Sequence, residues 1–217
     1  MGGQLPAFYE FFAGGGMARA GLGGGWRCLF ANDFDPKKAA TYSANWGSDQ
    51  LVCGDVAKLT TSDLPGVADL AWASFPCQDL SLAGDYAGLG RSTAQVTTRS
   101  GTFWPFWSLI KQLKREGRAP TIVVLENVYG ALTSHGGKDF AAIGSALAGA
   151  GYRFGAVVVD AVRFLPQSRP RVFFIAARSN VDLPSDVTTQ APSSAWHPAA
   201  LIAAHAGLTM SARRSWV

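Results

Sequence analysis

"EFFAGGGMARAGL", Glu10 to Leu22, carries an apolar strand into three consecutive glycines and out into a segment of helical character. Glycine reaches positive φ without a steric penalty, so Gly14, Gly15 and Gly16 form a tight turn that lets a ligand approach the backbone before a helix starts. Strand, glycine turn and helix form the opening unit of a parallel sheet, and the chain repeats that rhythm. Short apolar runs ("AFYEFF", "RCLFAND", "VADLAWASF", "TIVVLEN", "GAVVVDAV", "RVFFIAA") alternate with longer stretches, and helices are expected near Met17–Leu22, Pro36–Trp46, Phe103–Glu116 and Lys138–Ala150. The pattern predicts an α/β fold with a doubly wound, mostly parallel sheet covered on both faces.

The 217 residues, 48% of them hydrophobic, suffice for one well-buried domain and are marginal for two. Residues 1–177 hold the βα rhythm; residues 178–217 offer one helical segment around Ala199–Ala206 between polar, Pro-containing stretches and read as the start of a further region. Ser81 to Thr102 is polar, small and glycine-rich, the composition of a long surface lid. Cys28, Cys53 and Cys77 are too few and scattered for a disulfide framework and have no zinc-ligand spacing, so reduced thiols in a cytoplasm are expected. The N-terminus lacks the features of a secretory signal and no window reaches the roughly 18 apolar residues of a membrane span, so no membrane partner is expected. A net charge of +4 and a pI near 9.1 permit a polyanionic partner, although Lys and Arg are spread along the chain.

The glycine turn is not a dinucleotide fingerprint, because the third glycine of GxGxxG would fall on Arg19, and no GK[ST] follows. A ligand without pyrophosphate fits better. At the end of the second strand, "LFANDFD" supplies Asp33 and Asp35, and a carboxylate there suits the two hydroxyls of a ribose. Phe34 can stack on an adenine, and Asp55 in "CGDVAKL" can accept a hydrogen bond from its amino group. Any doubly wound domain carries a glycine turn and strand-end carboxylates; here the combination describes an adenosine pocket.

Ligands of open α/β sheets bind beyond the carboxyl ends of the strands. Cys77 follows "DLAWASFP", Glu126 and Asn127 follow "TIVVL", and Asp33 follows "RCLFAN", so these should converge on one rim. A free cysteine is commonly a small buried hydrophobe, which describes Cys28; Pro76 ends the strand's hydrogen bonding and turns Cys77 out of the sheet, as a nucleophile requires. Glu126 caps an apolar strand, so it should be partly desolvated and able to donate a proton near neutral pH. In "FLPQSRPRVFFIA", Gln167, Arg169 and Arg171 alternate into a strand and should share a face, as a clamp for phosphate or a base edge or as solvated edge charges.

In order, these stretches resemble the DNA cytosine-C5 methyltransferase family: "FFAGGG" its S-adenosylmethionine loop, "NDFD" its ribose and adenine motif, "GDV" its adenine-amino motif, "FPCQDLS" its nucleophile motif, "ENV" its glutamate motif and "QSRPR" its arginine motif. The resemblance implies the Rossmann-like S-adenosylmethionine-dependent fold, with residues 1–177 as the catalytic domain. It implies that Cys77 attacks C6 of a cytosine flipped out of double-stranded DNA, that Glu126 engages N3, and that Arg169 and Arg171 assist by favouring the thiolate. Cofactor contacts are implied for Phe12, Gly14, Gly16, Asp33, Phe34, Asp55, Val56, Pro76 and Phe103, and substrate contacts for Gln78, Ser81, Asn127 and Gln167; the product would be S-adenosylhomocysteine, and no metal is implied.

Met17 stands where many members have glycine, Leu80 where phenylalanine is usual, and Glu10 where aspartate is common. In the family a target-recognition domain and two more motifs follow the arginine motif, more than forty residues hold, so a second polypeptide supplying recognition is an expected partner. Alternatives are methylation of transfer RNA cytosine or a non-catalytic remnant; a nicotinamide-dependent oxidoreductase is disfavoured by the missing fingerprint.

Overall fold

A computed structural model describes residues 4–76, 102–189 and 191–217. In chain order the elements are β1 (Ala7–Phe11), α1 (Met17–Leu22), β2 (Arg27–Asp33), α2 (Pro36–Trp46), β3 (Leu51–Cys53), β4 (Leu70–Ala73), α3 (Phe103–Arg115), β5 (Ile122–Val128), α4 (Lys138–Gly149), β6 (Tyr152–Asp160), β7 (Pro170–Arg178), α5 (Ala199–Ala206) and α6 (Met210–Arg214). They build a seven-stranded sheet in the order β3-β2-β1-β4-β5-β7-β6. The first five strands are parallel, and the chain reverses direction of winding between β1 and β4, the place where such sheets open a ligand crevice.

Alternation along the strands separates two faces. Tyr9, Phe11, Ala71, Ala73, Val123 and Leu125 join the side chains of α3 and α4 in the principal core, while Phe8, Leu70 and Val124 meet Tyr42 of α2 on the other. Phe11 packs edge-on against Phe106 at 4.9 Å, and Phe103 stacks on Trp107 at 5.9 Å.

The rhythm of a wholly parallel sheet fails at the last two strands. β7 runs antiparallel to both β5 and β6, because only residues 161–169 join β6 to β7, fewer than the dozen or so that a parallel crossover needs. Residues 178–217, expected to begin a further region, return along the outer edge of β6. Val158 donates its amide to Trp196 O, Phe154 to Ser215 O and Val217 to Phe154 O at 2.7–2.9 Å. Leu201, Ala204, Leu208 and Ala212 are buried in the principal core, and the exposed edge that β6 would otherwise present is covered. Among the described residues no helix is long and apolar enough to cross a membrane.

Candidate active site

The glycine turn is built by its neighbours. Ala13 donates its amide to Asn32 O at 2.9 Å and Gly14 donates its amide to Asp33 Oδ2 at 2.8 Å, so β2 pins the start of the turn. Gly14 and Gly16 take φ values of 57° and 82°, the region where a side chain is strained. Gly16 is also crowded from behind: a Cβ there would stand 2.2 Å from Trp46 Nε1. Trp46 Nε1 and Asn45 Nδ2 both donate to Gly15 O at 3.1 Å, anchoring the turn on the end of α2. On its open side Gly14 has nothing within 4 Å of where a Cβ would be. Phe12 enters the turn with φ 56°, a strained backbone for a bulky residue and a feature concentrated at ligand sites.

Glu10, departing from the common aspartate, lies beneath the turn with 1% exposure. Its Oε1 accepts the amides of Ala18 and Arg19 at 3.1 and 3.4 Å, satisfying the start of α1 from the sheet, while Oε2 has no partner among the described residues. Burial pushes this carboxyl up to about 7, against the pull of those two amides and of Arg19.

Around the rim, Asp33 Oδ1 accepts the amide of Asp35 at 2.9 Å; with Gly14 on Oδ2, each oxygen holds one bond and can accept another. Phe34 is 72% exposed. Asp55 Oδ1 caps the following turn through the Ala57 amide at 2.9 Å, and Val56 is buried beside it. Asn32, unremarked in the sequence, is buried and ties β2 to the exit of β3 through Val52 O and Gly54 O, both at 2.9 Å; a polar residue inside an apolar strand was its signal.

On the other side of the switch point, Arg171 Nε and Glu126 Oε1 are 2.9 Å apart, each side chain about one-fifth exposed. The antiparallel register places Arg171 opposite Val128, two residues on from Glu126, which unites two motifs 45 positions apart in the chain. Gln167 and Arg169 are not brought to that pair. They precede the strand, which begins at Pro170, so the two-residue alternation does not govern them, and both are exposed in the hairpin connection. Asn127 faces inward, 2% exposed, with Nδ2 donating to Phe75 O at 3.2 Å and Oδ1 accepting the Val128 amide at 2.8 Å. It braces the segment from β4 to Pro76, which is exposed. Phe103 is a core ring, packed on Phe75 at 5.3 Å. Cys77, Gln78 and Ser81, and the expected lid up to Gly101, lie outside the described residues. Cys28 is buried against Phe30 O and Tyr42 Oη, both 3.6 Å from its sulfur, and burial pushes its thiol up.

A family model for C-5 cytosine-specific DNA methylases matches residues 7–203. The chain is 32% identical over 170 residues to the type II methyltransferase M.BsuFI of Bacillus subtilis, covering 77% of this chain and 38% of that protein. It is 29% identical over 211 residues to a DNA-cytosine methyltransferase of Escherichia coli (strain K12), covering 83% and 44%. It therefore spans less than half the length of these curated relatives. The crystal structure of the Dnmt2 methyltransferase of S. pombe superimposes with a TM-score of 0.63 at 20% identity, over 82% of this chain and 51% of that one, a likeness of fold.

Proposed function

The chain belongs to the C-5 cytosine-specific DNA methylase family, and from that premise we propose that it forms the catalytic part of a DNA cytosine-C5 methyltransferase. The observation that carries the reading is the Glu126–Arg171 pair, an acid near the carboxyl end of the parallel strand β5 fixed by a guanidinium from the start of β7.

The family implies use of S-adenosylmethionine, and the residues present fit an adenosine-containing ligand. Gly14 leaves open space above the turn, Asp33 has acceptor capacity at the end of β2, and Asp55 commits only one oxygen to its cap. Phe34 is free to lie on an adenine. When bound, S-adenosylmethionine supplies an electrophilic methyl group and leaves as S-adenosylhomocysteine. The chain's own residues prepare the base to receive it. The thiolate of Cys77 bonds to cytosine C6, moving the C5=C6 electrons into the ring toward N3, where the Glu126 carboxyl stabilises or protonates the developing charge. Once C5 carries the methyl group and loses its proton, the double bond reforms and the C6–S bond breaks, returning the thiolate. Arg171 keeps Glu126 oriented toward N3 rather than toward solvent.

Transfer of radiolabelled methyl from S-adenosylmethionine tests this. Label is expected in duplex DNA at cytosine C5 and is expected to vanish with Cys77→Ser. Label in transfer RNA and none in DNA would move the chain to the RNA-modifying alternative; label in neither would refute a catalytic role.

A further inference from the structure

The connection between β6 and β7 reverses the usual arrangement of a surface loop. Two backbone amides and a hydroxyl close onto Asp160, the last residue of β6. Oδ1 accepts the amides of Val162 at 3.1 Å and Arg169 at 2.7 Å, and Oδ2 accepts the Ser168 hydroxyl at 2.8 Å. Phe164 and Leu165 donate their amides to Ala161 O at 2.9 and 2.8 Å, and Gln167 donates to Leu165 O at 2.8 Å. With these amides satisfied internally, the tip presents its apolar side chains outward: Val162, Phe164 and Leu165 are 56%, 72% and 58% exposed. One exposed apolar residue on a surface is ordinary, whereas three within four positions of an ordered turn form a patch.

Charge and position indicate what the patch meets. Arg163 is held to the returning C-terminal segment, its Nη2 donating to Ala195 O at 2.8 Å and its guanidinium 4.7 Å from the centre of the Trp196 ring. Arg169 is exposed and forms no ion pair among the described residues. The tip's one carboxylate, Asp160, is half-buried and bonded to its own turn, leaving one acid beside the two guanidiniums of Arg163 and Arg169. The ladder from Asp160–Pro170 continues at once to Arg171, so the tip extends the rim that holds the Glu126 pair. A surface of exposed apolar side chains with a net positive charge matches a polyanion with aromatic faces. A second copy of the chain would set like charges against each other.

We propose that the β6–β7 tip is a nucleic-acid contact in which Phe164, flanked by Leu165, stacks on a base next to the reacting one while Arg169 meets the backbone. The proposal rests on the reading of the chain as a DNA-modifying enzyme. Gln167 lies within the same tip, so the contact continues the arginine motif outward from the reacting base.

The test is fluorescence anisotropy of a labelled cytosine-containing duplex, titrated with the whole chain at several salt concentrations. Phe164→Ala, at a site without core packing, is expected to weaken binding about tenfold with no change in the slope of log K against log salt, and Phe164→Trp to restore it. Arg169→Ala is expected to reduce that slope by about one. Binding by Phe164→Ala within twofold of the wild type, with the Arg169→Ala effect intact, would overturn the stacking role and leave the DNA reading standing. No duplex binding by the wild type would bring down both. Sedimentation showing a wild-type dimer that Phe164→Ala dissociates would overturn the proposal in favour of self-association.

Discussion

Replacing Glu10 by glutamine should alter the pH dependence of stability while leaving the fold intact. Glu10 is 1% exposed, one oxygen accepts two amides at the start of α1, and the other has no partner among the described residues. A buried charge with half its acceptor capacity unmet is costly, and the carboxyl is accordingly pushed from 4.5 to about 7. Between those values the unfolded chain has released the proton while the folded chain retains it. The folded state then binds more protons, and stability falls as pH rises through that window, levelling above about 7. Each pKa unit corresponds to about 1.4 kcal/mol, so the passage from 4.5 to about 7 amounts to about 3 kcal/mol. Glutamine keeps the shape and the acceptor for the Ala18 amide but never ionises. Urea unfolding of both proteins at pH 5 and pH 8 isolates the effect, since every other titrating group contributes to both. Part of that change is already complete at pH 5, so the variant should gain about 2 to 3 kcal/mol on the wild type between the two pH values. A stability difference that does not change with pH would mean that Glu10 does not titrate differently in the folded and unfolded chain. A variant weakened at pH 8 would mean that α1 needs the ionised acid.

Glu126→Gln should lower methyl transfer about 10²- to 10⁴-fold with duplex affinity preserved, as read by single-turnover kinetics beside anisotropy. Arg171→Lys, which keeps the charge and loses the planar N–H fork, should retain part of the activity that Arg171→Ala loses. Gly16→Ala would put a Cβ 2.2 Å from Trp46 Nε1 at φ 82°, and thermal melts should show a loss of about 2 kcal/mol, partly recovered when Trp46→Ala is added. Gly155→Ala would place a Cβ 2.9 Å from Val217 O. Hydrogen exchange at the Val217 amide, which bonds to Phe154 O, should accelerate more than tenfold while exchange in β1 is unchanged.

Local patterns with strong chemistry were legible in the sequence. The strand, the three glycines and Met17–Leu22 appear where the reading placed them, because a glycine turn between two apolar periodicities leaves the chain few choices. Ala199–Ala206 and Pro36–Trp46 likewise match their elements, the latter fixed by Asp35 as its N-cap and Pro36 at its first position. What escaped was decided by tertiary contacts. Strand direction at β6 and β7 follows from the length of a connection rather than from apolar content, and the separation of Arg171 from Gln167 and Arg169 depends on where β7 begins. Asn127 reads as a rim residue in sequence, yet the strand alternation turns it inward to hold Phe75. In sequence Glu10 reads only as an exchange of one acid for another; its reach to the amides of α1 depends on how the helix lies over β1. The C-terminal segment had no periodicity strong enough to announce that it would cover β6, and Gly144, where a Cβ would meet Leu208 and Phe154 at 2.9 Å, gives no local sign of the close packing it permits.

On the proposed reaction, Cys77 and Glu126 act together on a cytosine. The most direct measurement incubates the chain with S-adenosylmethionine and a duplex carrying 5-fluorocytosine in many sequence contexts, then looks for an adduct that survives denaturation. Fluorine at C5 blocks the final elimination, so the account predicts a covalent complex that disappears with Cys77→Ser and forms far more slowly with Glu126→Gln. An adduct that persists in Cys77→Ser, or methyl transfer to cytosine without any adduct, would contradict it.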